Sequence, residues 1–261
     1  MYKNGTALGL PNHVPHPFMG ICDACELSKR NLQAITSSSI ERIAPPYAFH
    51  SVCCDYVAMK PVSYLGDTGF FAYSCTLSKN IETAATKSKS SLLSTFKVLV
   101  KRQEGLKQPI RHFYTDSEKI FKTIVKGSFS RYLIRHGITA HFSAPYRHEQ
   151  SLAERPIQTL KRASIATMLH SKLSPKYWPY VIEAVAHTWN RLPLKSTGYT
   201  KSPYELVHGR RPDVSYLLPI GMQAYVRRRL AAGELPDRSH RETLRPPNAT
   251  VGRIIGYYPE D

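Results

Sequence analysis

Hydrophobic and aromatic residues dominate the run from Phe49 to Met59 (FHSVCCDYVAM), which stops at Pro61; the pattern predicts a strand. The turn Leu65-Gly66-Asp67-Thr68-Gly69 follows, and Phe70 to Leu77 (FFAYSCTL) reads as its antiparallel partner. From Ser88 to Arg102 the spacing becomes helical. Leu92, Leu93, Phe96, Leu99 and Val100 fall on one face, and Gly105 and Pro109 close the helix. A short strand of buried type is predicted over Ile110–Tyr114, a helix over Ile120–Arg135 capped by Gly137, and another strand over Ile138–Phe142. Two strong helices come next. Glu154 to Ser171 carries Ile157, Leu160, Ile165, Met168 and Leu169, and Pro175 to Arg191 carries Trp178, Val181, Ile182, Val185 and Trp189. Pro193, Gly198 and Pro203 then break the pattern, and from about Met222 the chain turns β-like and basic. Ahead of all this, residues 1–21 read as an extended lead-in, and Pro45-Pro46 opens the main domain. There is no internal repeat. Strands mixed with helices in this order predict an α/β layer fold.

Composition adds a partner class. Of 261 residues, 42% are hydrophobic, enough for a packed core, and 36 Lys+Arg stand against 19 Asp+Glu for a formal charge of +17. Such a surplus points to a polyanion, nucleic acid first; no separate basic amphipathic helix suggests a membrane surface instead. No run reaches the roughly 18 apolar residues of a membrane span, and the first residues have no apolar stretch of signal-peptide type. Five cysteines, an odd number, do not make a secreted disulfide framework, and a reducing intracellular compartment is expected.

Three acidic residues stand where chemistry would use them. Asp55 lies inside the first strand among Val52, Cys53, Cys54, Tyr56 and Val57. A carboxylate there needs solvent, a partner or a metal. Asp116 follows a short strand, and strand carboxyl ends are where ligand groups gather in α/β sheets. Glu154 opens a helix. Two hard divalent cations on shared carboxylates would suit an in-line phosphoryl displacement. Each residue also has a plain structural reading. Asp55 could face solvent on an edge strand, Asp116 could cap a helix, and Ser151-Leu152-Ala153-Glu154 matches a capping box. Spacing alone leaves these choices open.

The run GITAHFSAPYRHEQSLAERPIQTLKRASIATMLH (137–170) resembles the signature of copia-type retrotransposon integrases, as do PKYWPYVIEAVAHTWNRLP (175–193) and KSPYELVHGRRP (201–212) in the expected order. Asp116 and Glu154 have 37 residues between them, close to the spacing in the acidic triad of retroviral-type integrases. The resemblance covers about residues 20–260 and is most specific over 137–212. It implies an RNase H-like mixed sheet flanked by helices. It also implies a polynucleotidyl transferase that trims the 3′ ends of element DNA and joins them to target DNA. On this resemblance Asp55, Asp116 and Glu154 hold Mg²⁺ or Mn²⁺, and Gln158, Lys161 and Arg162 on the following helix contact DNA. The plain reading of those three is a solvated helix face. A homo-oligomer assembled on DNA ends and a nuclear location are implied as well. The expected organisation is a lead-in with a partial zinc module over 1–40, a catalytic core over 41–215 and a basic β-like extension over 216–261.

Cys22-x-x-Cys25 has zinc-ligand spacing but is half a site. The family's module places two His well upstream, whereas His13 and His16 are close by. Cys22 and Cys25 are therefore read as a remnant, with a complete site built from His13 or His16 as the alternative. Cys53, Cys54 and Cys75 read as small buried residues. Two features depart from the family: Ser151-Leu152 replaces an Asn-Gly pair, and Pro156 follows Glu154 closely. If the helix begins at Ser151, Pro156 lies inside it; if it begins near Arg155, Pro156 is a favourable first-turn residue. The alternative function is accordingly a decayed or truncated integrase that grips nucleic acid without cutting it. An RNA-hybrid hydrolase on the same fold fits residues 175–212 less well, and a purely structural role leaves the charge unexplained.

Overall fold

The computed structural model describes residues 45–115, 127–142, 150–195, 199–227 and 249–257, with only the backbone described at 142, 150–155, 226–227 and 249–250. Five strands form one sheet: β1 (Ser51–Ala58), β2 (Gly69–Cys75), β3 (Ile81–Thr86), β4 (His112–Thr115) and β5 (Thr139–Phe142), in the order β3-β2-β1-β4-β5. The first three pair antiparallel with one another, as tight connections allow, while β4 joins parallel to β1 and β5 parallel to β4 through helical crossovers. The helices are α1 (Leu92–Gly105), α2 (Ser128–Arg135), α3 (Gln150–Ser171), α4 (Trp178–Arg191) and the short α5 (Pro203–His208). A two-stranded antiparallel ribbon, β6 (Gln223–Arg227) with β7 (Ala249–Arg253), completes the described chain.

Alternation along the strands divides the core in two. Val52, Cys54, Phe71, Tyr73 and Phe113 face one side, where they pack on Leu92, Phe96, Leu99 and Val100 of α1 and on Phe129 and Leu133 of α2. Val57, Phe70 and Ala72 face the other, against Ile157 and Leu160 of α3 and Trp178, Ile182 and Ala186 of α4. All seven residues of β2 are buried, as befits a strand covered on both faces.

Three local expectations need correction. A strand was not expected over Ile81–Thr86, yet it is the edge of the sheet. Its sequence IETAAT offers little apolar pattern, and it is held from the side: Asn190 Oδ1 accepts from the Ile81 N–H and its Nδ2 donates to the Ile81 carbonyl, both at 2.9 Å. Pro203 does not simply break the chain but occupies the first position of α5, where Ser202 caps the helix by accepting from the Glu205 N–H at 3.1 Å. The start near Arg155 is overturned too. α3 begins at Gln150, so Pro156 lies within the helix and withholds a hydrogen bond from the Leu152 carbonyl.

Candidate active site

Asp55 sits mid-strand in β1, paired across the antiparallel ladder with Ala72. Directly paired residues project to the same side, and Ala72 belongs to the cluster beneath α3 and α4. Asp55 therefore shares that face and is not on an edge strand, since β1 is the central strand of the five. It is half-buried, and its Oδ1 accepts from the Tyr56 N–H at 2.7 Å.

On the other side, β1 runs parallel to β4, with Cys53 beside Tyr114 and Cys54 beside Thr115. Thr115 is the last described residue of β4; Asp116, the next in sequence, lies outside the described residues, as do Cys22, Cys25, His13 and His16. Glu154 is on the first part of α3, where only the backbone is described. Its position is one turn before Ile157 and Gln158 and two turns before Lys161. Ile157 and Leu160 are buried against Val57 and Ala72, so this end of α3 lies over the face that carries Asp55. Of the residues expected to meet DNA, Gln158 and Arg162 are half-buried and Lys161 is exposed. Cys53, Cys54 and Cys75 are buried thiols that form no disulfide, as their strand positions suggested. The Cys75 sulfur does more than fill space, accepting from the N–H groups of Phe49 at 3.1 Å and Ser78 at 3.2 Å.

A ring array on the same face was not foreseen. By register, His112 lies beside Ser51 and Tyr114 beside both Cys53 and His141. The Tyr114 and His141 rings stack at 4.5 Å between centroids, and His112 Nδ1 meets His141 Nε2 at 3.0 Å. The His50 ring lies 5.0 Å from that of His112. Burial, then the neighbouring His112 and Arg111, lower the His50 pKa and favour the neutral ring. The signal available in sequence was the alternation of His112 and Tyr114 with the core residue Phe113.

Among the described residues no cluster of three or more His, Cys, Asp and Glu is placed to hold a metal ion. Asp55 alone of the candidate triad has a described side chain. The donor set itself, carboxylate oxygens only, suits a hard cation such as Mg²⁺ and fits it better than a softer metal. Nothing described bears on zinc. No described helix is long and apolar enough to cross a membrane.

No known protein family profile matches the chain. Among solved structures it is similar to a chain of the simian T-cell lymphotropic virus intasome determined with the PP2A regulatory subunit B56 gamma. Identity is 19% and the TM-score 0.53, over 83% of this chain and 74% of that one. It is also similar to the HTLV-2 integrase catalytic core domain in complex with magnesium (17% identity, TM-score 0.48, 62% and 99% covered). A third similarity is to the catalytic core domain of BIV integrase (18%, 0.44, 61% and 93%). With the five-stranded mixed sheet flanked by helices, the intasome match shows that the chain shares the fold of that intasome chain.

Proposed function

We propose that this chain is the catalytic core of a copia-type retrotransposon integrase, joining the 3′ ends of element DNA to target DNA with the help of divalent cations held by Asp55, Asp116 and Glu154. The observation that carries this reading is the parallel pairing of Cys54 with Thr115. In sequence Asp55 and Asp116 each follow directly on that pair. Strand alternation puts Asp55 on the face over which α3 brings position 154. Mg²⁺ or Mn²⁺ bound there would polarise the scissile phosphate and activate the attacking oxygen. β1 fixes the Asp55 backbone by pairing it with Ala72 of β2, which limits how far its carboxylate must move when substrate arrives. Lys161 and Arg162, with Gln158, extend from the same helix to meet the DNA backbone, and the +17 charge draws the polyanion in. The Tyr114–His141 stack offers an aromatic surface for an unpaired base at the DNA end.

The zinc-module remnant at Cys22 and Cys25, the boundaries near 40 and 215, assembly as a homo-oligomer and a nuclear location belong to the same proposal and rest on the sequence resemblance. A second reading, a decayed integrase that binds DNA without joining it, is favoured by Pro156 in the interior of α3. The test is a strand-transfer assay with Mg²⁺ on pre-trimmed DNA ends, comparing native protein with Asp116→Asn. Joined product from the native chain alone supports catalysis. DNA binding that weakens with salt, with no product from either protein, supports the decayed copy. Equal product from both removes the triad.

A further inference from the structure

At the β3 edge of the sheet, two strands from Asp55, a cleft of about 440 Å³ opens between α1, α4 and α5, and its lining includes Arg102, Arg191, His187, His208 and Asn80. Arg191, the last residue of α4, is only 6% exposed. Its guanidinium lies over the Tyr204 ring at 4.8 Å and near the Tyr216 ring at 5.9 Å, and one terminal nitrogen donates to the His187 carbonyl at 3.2 Å. Its Nε–H has no acceptor. It makes no ion pair with a described residue; the pair in this cleft joins Arg102 to Glu82 at 2.6 Å. A guanidinium cannot shed its proton, and Glu82, which Arg191 reaches electrostatically, is already paired with Arg102. What the Arg191 Nε–H lacks is an oxygen acceptor. Asn80, 3% exposed, has the complementary want: its Oδ1 has no donor.

We propose that this cleft is a binding site for a phosphate monoester, anchored by Arg191. Near its second pKa of about 6, a phosphate monoester accepts from guanidinium through its oxygens and, in the fraction that keeps its P–OH, donates as well, which a carboxylate ionised at that pH cannot do. A DNA phosphodiester has no such hydroxyl, so the site differs in chemistry as well as place from the DNA-joining centre and does not depend on it. Two carboxylates face the same cleft. Glu82 is engaged by Arg102, while Glu183 is exposed and opposes the incoming anion. The cleft histidines register their burial and the nearby arginines. Burial and then Arg191 hold His187 down at a pKa of about 4, and His208 is lowered by burial and by Arg210, Arg191 and Arg102. A bound phosphate group would relieve both.

The experiment follows the imidazole Hε1 signals of His187 and His208 by NMR, assigned with His187→Gln and His208→Gln. The native protein is titrated with phenyl phosphate and with inorganic phosphate at constant ionic strength. Saturable shifts toward the protonated position are expected for both rings, with affinity about tenfold weaker in Arg191→Met, the loss of one charge-assisted contact. Should Arg191→Met fail to fold, Glu183→Gln serves, and removal of its opposing charge is expected to tighten binding several-fold, roughly what one exposed charge contributes. Linear shifts without saturation, shifts reproduced by chloride, or indifference to whichever folded variant is measured would overturn the proposal.

Discussion

Replacing Pro156 by Ala should stabilise this protein, and the size of the gain measures how well the start of α3 is built. Pro156 is the seventh residue of a helix that starts at Gln150, beyond the first turn where a missing N–H has no consequence. Within a helix interior proline costs about 3 kcal/mol through the lost bond to the i−4 carbonyl and the clash of its ring. The full amount is not expected here. The chain has an escape, in which the turn before Arg155 unravels and Pro156 becomes a first-turn residue, giving up the residues from Gln150 to Glu154 at the end of the helix for roughly a few tenths of a kcal/mol each. The penalty now carried is therefore capped, and Pro156→Ala should gain about 1–2 kcal/mol. Urea unfolding followed by circular dichroism reads the gain as a higher midpoint at unchanged slope. Amide hydrogen exchange reads it locally, as added protection at residues 154–158. On the proposed function, in which Glu154 on this segment serves the metal, strand-transfer rate should rise as well. A variant no more stable than native, with unchanged exchange at the start of α3, would refute the reasoning.

Gly69 opens β2 where a Cβ would collide with the Tyr56 hydroxyl and the Val57 carbonyl oxygen, so Gly69→Ala should lose roughly 1–3 kcal/mol in urea unfolding, because the carbonyl is backbone and cannot step aside. Asn190→Leu leaves the buried N–H and carbonyl of Ile81 without partners; the expected loss is roughly 2–4 kcal/mol, measured the same way, and a loss under about 1 kcal/mol would mean that the β3 edge is held by other contacts. The pH dependence follows from His187, whose folded pKa of about 4 lies below its ordinary 6.5. The unfolded chain then binds the extra proton between those values, so the contribution is complete above pH 6.5 and is lost as pH falls toward 4. The thermal midpoint should drop across that window, and less steeply in His187→Gln; an equal slope in the two proteins would assign the effect elsewhere.

How much of this was legible in the sequence depends on the range of the interaction. The β1–β2 hairpin and the apolar stripe of α1 are written in local periodicity, and Leu92, Phe96, Leu99 and Val100 are buried as their spacing required. β3 was not legible. Its apolar content is slight, and what stabilises it comes from Asn190, 109 residues away. Pro203 misled for the opposite reason, since one residue type both breaks a helix and begins one, and only the cap at Ser202 tells which. Among the candidate site residues, the carboxylate within an apolar strand singled out Asp55, which lies inside β1 as its sequence suggested. The rings of His112 and His141 could not be matched beforehand, because parallel strands have no turn to set their register and it must emerge from the crossover between them.

The reading stands most directly on whether Asp55 and Asp116 serve one metal. Calorimetric titration of Mn²⁺ into native protein, Asp55→Asn, Asp116→Asn and the double variant separates the cases. A shared centre predicts that either single change weakens the strongest binding by at least about tenfold and that the double variant is little worse than either single one. Independent, additive losses, or native-strength binding in Asp55→Asn, would contradict it.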